Sequence, residues 1–292
     1  MNYKPQTTIT AWLLVMPAVA LLGMFTHVPM IGSVLHSFYS TERPRRPSRF
    51  VGLDNYDSML DDPIFWKALI NNLIYALGSV PFSIALALAM ALFVNERITG
   101  RGFLRLAYFT PTVMPMIAVA NIWIFFFTPD YGLIEQVSQF FHLPAHNWLG
   151  STNTALFCVT LVAVWKEAGF FMVFYLAALQ QIPNDLKEAA RLEGASGWAI
   201  FSQITFPLLM PTTLFIMINA LINAFRVVDH IFVMTGGGPN NATTVLLFRL
   251  YEIGFKYFDH GQASALSVVL LAVLGMIALG QFLLFDRKVH YQ

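Results

Sequence analysis

Six stretches of this chain run for about 20 residues or more with almost no charge, and nothing else in the sequence restricts the fold so much. They are Thr10 to Phe38, Ala68 to Val94, Leu104 to Phe127, Thr154 to Leu179, Phe206 to Met234 and Ser264 to Phe285. Each is long enough to cross the hydrocarbon core of a bilayer as a helix. In lipid every backbone N–H and C=O must find its partner inside the segment, so apolar runs of this length predict helices, not strands. Composition agrees: 57% of the 292 residues are hydrophobic and 11% are charged, against about 25% charged in soluble domains. The expectation is an all-α integral membrane protein, one transmembrane domain over residues 1–292. A net charge of +1 gives no nucleic-acid footprint. The one cysteine, Cys158, cannot form an internal disulfide.

Pro17, Pro29, Pro81, Pro111, Pro115 and Pro211 fall in or at the edges of the spans. Membrane helices tolerate them where neighbours satisfy the freed carbonyls. Ala18–Ala20 imitates a signal-peptide cleavage site, but the apolar run continues past it, so an uncleaved first helix is expected. Orientation is poorly marked. With both termini cytoplasmic, Lys4, Arg97, Arg101, Arg105, Lys187, Arg191, Arg287 and Lys288 face in. They are nearly balanced by Lys67, Arg249, Lys256 and the cations of "RPRRPSR" (Arg43, Arg45, Arg46 and Arg49). The stretch Thr128 to Asn153 has no Lys or Arg, whereas Asn95 to Phe103 has Arg97 and Arg101, which favours ends inside.

The connection between the fourth and fifth spans is unlike a plain loop. Pro183 stops the preceding helix, and Asp185 followed by Glu188 has the spacing of a helix start. Leu186, Ala189 and Ala190 share one face, Gly194 ends the helix, and Trp198, Ile200 and Phe201 begin a second. Pro207 then restarts the chain toward the membrane. Small residues on a short helix permit close docking of a partner. The alternative is a helix resting on the bilayer, anchored by Trp198 and Phe201.

The same stretch resembles the EAA loop of the permease subunits of ABC importers. Glu188-Ala189-Ala190, Gly194, Ile204 and Pro207 stand at the family's spacings, with Phe206 where Leu is usual. "FVGLDNY" (Phe50 to Tyr56), "FVMTGGGPNNAT" (Phe232 to Thr243) and "GFKYFDHGQASALSVVL" (Gly254 to Leu270) are similar to segments of the carbohydrate-uptake group, of maltose and glycerol-3-phosphate type. The resemblance implies a type I importer permease fold: six transmembrane helices with a cytoplasmic coupling helix, within residues 183–207, between the fourth and fifth. It also implies the partners: a second permease, an ATPase dimer that carries ATP and Mg, and an external substrate-binding protein. No cofactor is implied in this chain. Gly236, Gly237, Gly238 and Pro239 correspond to an external loop near the binding protein. The bacterial inner membrane is the implied location.

Ionisable groups within spans are functional candidates. At 100° per residue Asn219, Asn223, Arg226 and His230 form one stripe, with Thr212 below and Asp229 rotated off it. The stripe either lines a solute cavity or bonds neighbouring helices. Arg226 suits an anionic solute, such as a sugar acid, a sulfonated sugar or glycerol phosphate, through its planar fork. The competing role is a salt bridge to Glu167 or Asp229. "WKEAGFFMVFY" places Trp165, Lys166 and Glu167 together, and Glu167, Phe171 and Tyr175 at i, i+4, i+8. Trp165, Glu167 and Tyr175 are candidates for a second wall, with Lys166 snorkelling or paired. Asn121 and the stripe of Asn72, Tyr75, Ser79 and Ser83 read as helix contacts.

Catalysis finds no support. There is no G-x-x-x-x-G-K-[ST] and no H-E-x-x-H, and the histidines lack ligand spacing. A transport subunit is therefore expected, with hydrolysis on another chain. An ATP-independent channel or secondary transporter is the remaining class, and it has no use for the EAA loop.

Overall fold

A computed structural model describes residues 5–44, 46–96, 99–142, 144 and 146–285. Lys4, Arg45, Arg97, Arg287 and Lys288, which entered the charge comparison, lie outside the described residues. Among those described there is no strand beyond two isolated antiparallel bridges, Tyr39 with Phe50 and Arg43 with Arg46.

Helices carry the chain. The first span, α1 (Thr10–His36), contains a π-turn at Gly23–His27. A short helix, α2 (Asp54–Leu60), precedes the long second span, α3 (Pro63–Asn95). The third apolar segment was expected as one helix and is two. Helix α4 (Arg101–Val113) and helix α5 (Met116–Phe127) meet at a 103° bend. The cause is in the sequence: Met114 precedes Pro115, which drives it out of the helical region, and it adopts ψ 138°. Helix α6 (Leu133–Phe140) is short. The fourth span, α7 (Ala155–Gln181), is followed by α8 (Asn184–Leu192).

The fifth span also departs from expectation, at both ends. Helix α9 runs unbroken from Gly197 to Phe225, absorbing Pro207 through a π-turn at Phe201–Thr205. Pro207 therefore does not restart the chain; it lies near the start of the α-helical part of one continuous rod. At the other end the helix stops at Phe225, and α10 (Asp229–Met234) begins a new one. Helix α11 (Leu246–Tyr251) and the sixth span, α12 (His260–Phe285), complete the chain.

Two compact units are present. The described residues of Met1–Asp62 with Leu250–Ala272 form one, and those of Pro63–Arg249 with Val273–Gln292 form the other. In the second, α3 packs along α7, and α9 packs against both. Small residues allow the close approach. Ala68, Ala87 and Ala91 of α3 and Ala155, Ala163 and Ala168 of α7 are buried. Gly78 faces Thr160, where a Cβ would sit 3.1 Å from the threonine methyl. At Gly169 the backbone of α4 comes so close that a Cβ would collide with the Tyr108 carbonyl oxygen.

The outward faces remain apolar. Leu77 and Phe103 are each 74% exposed, and α1 keeps Trp12, Leu14 and Phe25 exposed. That surface requires an apolar solvent, as a bilayer supplies.

Candidate functional site

Two broken spans and two intact helices create the polar centre of the larger unit. A cavity of about 360 Å³ is lined by Tyr75 of α3, Met116 of α5, Ala163, Lys166 and Glu167 of α7, and Asn223 with residues 226–230 at the α9–α10 junction. Its volume falls at the small end of the range for small-molecule sites, roughly 300–1,000 Å³.

Each break frees backbone groups, and side chains satisfy them. The Lys166 ammonium donates to the Met114 carbonyl at the α4–α5 bend. Among the described residues Lys166 forms no ion pair, and in place of snorkelling to solvent it caps a broken helix. The Thr112 hydroxyl donates to the Lys166 carbonyl at 3.5 Å, a long bond at the same crossing. At the other break the Arg226 backbone N–H bonds the Ile222 and Asn223 carbonyls, closing the last turn of α9. Asn72 donates to the Ala224 carbonyl at 3.0 Å and accepts from the Leu246 N–H at 3.3 Å. Tyr75 Oη lies 3.3 Å from His230 Nε2. The Asn72 and Tyr75 part of the α3 stripe thus fixes the junction. Ser83 bonds within its own helix, to the Val80 carbonyl.

The sequence stripe meets the structure only in part. Asn219 donates to the Phe215 carbonyl of its own helix and does not line the cavity. Asn223 does, beside the Glu167 carboxylate. Arg226 and His230 lie beyond the helix end, so 100° per residue no longer places them. They reach the cavity through the break instead. His230 is buried against Tyr75. Asp229, rotated off the stripe in an ideal helix, joins the lining for the same reason. Arg226 is exposed to the cavity and, among the described residues, forms no ion pair with Glu167 or Asp229. Trp165 meets Trp123 edge-on at 5.6 Å, away from the cavity. Tyr175 is fully buried and donates to Thr213 Oγ1 at 3.0 Å, so it offers no wall in this state.

The lining therefore combines two cations, Lys166 and Arg226, with two carboxylates, Glu167 and Asp229, and the Asn223 amide. Convergent donors and acceptors of this kind suit hydroxyl-rich solutes. Among the described residues no group of three or more His, Cys, Asp or Glu could hold a metal ion.

The Gly loop next to the site is a built structure. Gly236 and Gly237 have φ of 56° and 83°. A Cβ on Gly237 would sit 2.6 Å from the Phe248 ring, so both conformation and space demand glycine. Thr244 and Thr243 hydroxyls donate to the Gly237 and Gly238 carbonyls. Lys67 bonds the Asn240 carbonyl, and Asn71 bonds those of Asn241 and Thr244. These anchors were not foreseen from the sequence.

The second candidate element is the foot formed by α8 and the start of α9. Helix α8 begins after Pro183 with no side-chain cap, so Asp185 and Glu188 do not form the expected capping box; Asp185 lies in the first turn, where the helix dipole favours it. Its end matches expectation in detail. Gly194 (φ 83°) donates to Arg191, and Ala195 donates to Ala190 at 2.9 Å, the paired bonds of a Schellman motif. Ser196, missed in the sequence although its residue type is a strong cap, accepts from Ala199 N–H and starts α9. No residue of α8 is buried; Leu186, Ala189 and the 91%-exposed Leu192 present an uncovered face.

Comparison with known proteins gives a consistent result. Residues 68–291 match the family described as "Binding-protein-dependent transport system inner membrane component". The chain is similar to the trehalose/maltose transport system permease protein MalF of Thermococcus litoralis, 36% identical over 88% of this chain and 87% of that protein. It is 34% identical to the sulfoquinovosyl glycerol transport system permease protein SmoG of Agrobacterium fabrum, over 91% and 86%. Among solved structures, a chain of a bacterial alginate ABC transporter, in complex with an alginate pentasaccharide-bound periplasmic protein, superposes with a TM-score of 0.86 at 22% identity, covering 97% of this chain and 96% of that one. That likeness is one of fold: the all-α type I permease architecture.

Proposed function

The chain belongs to the binding-protein-dependent transport system inner membrane component family, and from that premise we propose that it moves a sugar or sugar-like solute through the cavity beside the α9–α10 junction. It is a multi-pass transport subunit, not an enzyme. The observation that carries the solute reading is the convergence of Glu167, Asn223, Arg226 and Asp229 on one cavity in the larger unit. Such groups have no structural use in a span unless they face a polar solute, water or each other.

In this reading α8 stands in a groove of a cytoplasmic ATPase subunit, with Glu188, Ala189, Ala190 and Gly194 at the contact. Ile204 and Pro207 lie in the rod that leads away from it. ATP and Mg reside on that partner, a second permease completes the pathway, and an external binding protein delivers the solute. Both termini are cytoplasmic, and Gly236, Gly237, Gly238 and Pro239 lie on the external side. The rod supports this arrangement. Helix α9 connects foot to cavity without a break, about 43 Å at 1.5 Å per residue. ATP-driven closure of the ATPase dimer would move the foot, and the rod would carry that movement to the junction.

A second reading concerns solute charge. Arg226 is exposed, lines the cavity and, among the described residues, forms no ion pair with Glu167 or Asp229, so its planar fork is available to a sulfonate, phosphate or carboxylate. The similarity to a sulfoquinovosyl glycerol permease fits this reading.

The test is reconstitution. The chain should co-purify with an ATPase and a second permease, and uptake into proteoliposomes should require ATP and the binding protein. Full solute flux by this chain alone, without ATP, would refute the proposal.

A further inference from the structure

The arginine-rich stretch after the first span has no part in the cavity or the foot. Four arginines in seven residues are costly on a translocated face, because cations near span ends bias a segment toward the cytoplasm. The structure places Arg43, Arg46 and Arg49 on a hydrogen-bonded turn within the smaller unit. The chain leaves α1 at His36 and turns back on itself at once. Ser40 N–H donates to the Arg49 carbonyl at 2.8 Å, and Arg43 and Arg46 exchange backbone bonds at 3.0 and 2.9 Å. Ser40 Oγ accepts from Arg49 N–H, and Ser48 Oγ donates to the Ser40 carbonyl. Asn55 fastens the base by donating to the Ser37 and Tyr39 carbonyls.

This hairpin lines a cleft of about 640 Å³ with Arg43, Arg46, Arg49 and Asn55. One carboxylate, Asp259, shares the lining. Asp259 is already occupied: it accepts from Thr41 Oγ1 at 2.6 Å and from Gln262 N–H at 3.2 Å, and pairs with Arg43 at 3.5 Å. Arg46 and Arg49 have no side-chain hydrogen bond or ion pair among the described residues, and both are exposed. Glu42 lies in an adjoining shallow cleft, and the carboxylates of α2 do not line this one. The cleft thus holds uncompensated positive charge on a braced backbone.

Beside the arginines the surface turns apolar. Phe50 is 69% exposed, Leu53 60% and Tyr39 40%, and the Tyr39 and Phe50 rings meet edge-on at 5.6 Å. Aromatic side chains next to free guanidinium groups, a few residues from the end of a span, match the layering of a membrane surface: rings toward the acyl boundary, cations at the phosphates. Guanidinium binds phosphate by paired N–H donors. We infer that the cleft lined by Arg43, Arg46 and Arg49 is a binding site for the phosphate of an anionic phospholipid headgroup, with Arg46 and Arg49 as its principal ligands.

Native mass spectrometry of the intact transporter, purified with its partner subunits and titrated with phosphatidylglycerol or phosphatidylcholine, tests this. The wild type should retain phosphatidylglycerol preferentially, by roughly tenfold. The Arg46→Gln/Arg49→Gln variant, which leaves the Arg43–Asp259 pair intact, should fall to near parity between the lipids. The Arg46→Lys/Arg49→Lys variant should keep most of the preference, which separates lost charge from lost folding. Parity in the wild type, or an unchanged preference in the glutamine variant, overturns the assignment. So does displacement of the lipid by millimolar inorganic phosphate, which would mark a free-anion site. Weakened docking of the binding protein with lipid adducts unchanged would overturn it in favour of an acidic protein surface.

Discussion

At the scale of the residue, Arg226 and Gly194 are each tied to a distinct cause. Arg226 stands at a helix end, lines the cavity and, among the described residues, forms no ion pair with either carboxylate there. Arg226→Gln removes the charge and shortens the side chain but leaves a polar amide that can still donate and accept. If the solute is anionic, its binding should weaken about 10- to 100-fold, the worth of a hydrogen bond to a charged group. If the solute is neutral, uptake should change little. Competition assays with neutral and acidic sugars on the same variant distinguish the two. Gly194 is different: no atom lies within 4 Å of the position a Cβ would take, so sterics with neighbours are irrelevant and only φ of 83° matters. An L-residue in that conformation costs about 1–2 kcal/mol, less for Asn and more for a β-branched side chain. Gly194→Val should therefore unseat the Schellman turn and depress ATP-driven uptake, while Gly194→Asn should retain most of it. Equal activity of the two variants would detach the turn from coupling.

At the scale of the element, the spans were legible in the sequence and their breaks were not. Six apolar runs identify themselves because length and absence of charge are local properties, read without knowledge of neighbours. The foot was legible because its determinants, Gly194 and the alternating Leu and Ala face, are also local. The α4–α5 bend carried one local sign, Met114 before Pro115, but membrane helices often pass through proline unbroken, so the sign was ambiguous. The end of α9 at Phe225 had none. It depends on Asn72 and Tyr75 of α3 holding a segment more than a hundred residues away. The substrate stripe was therefore drawn on an ideal helix, whereas α9 stops before Arg226, and Tyr75 and Met116 were not seen as lining. Gly169 tests how far such crossings position the site. Its substitution by Ala would drive a methyl into the Tyr108 carbonyl and move α4 off α7. That strain is of the order of 1–3 kcal/mol. A lowered melting temperature together with impaired uptake is expected, since the Lys166–Met114 bond at the bend depends on the same crossing. A variant that melts like the wild type would show that the helices can part without cost.

At the scale of the whole molecule, the foot and the cavity are separate devices joined by one rod. Each can then be damaged without the other. Ala190→Asp places a charge on the face of α8 proposed to dock on the ATPase, and α8 has no buried residue to disturb. Transport should fall and ATP hydrolysis should lose its dependence on loaded binding protein, while solute selectivity in the residual flux stays that of the wild type. If the solute is anionic, Arg226→Gln should do the reverse, altering selectivity and leaving the stimulation of hydrolysis intact. The two sites share no partner, and effects at distant sites add to within about 0.5 kcal/mol. The double variant should accordingly show the product of the two fractional activities. Departure from that product in a double-mutant cycle would mean that α9 transmits more than a rigid displacement: the state of the foot would change the chemistry of the cavity, and the π-turn at Phe201–Thr205 would be the place to look for the flexing element.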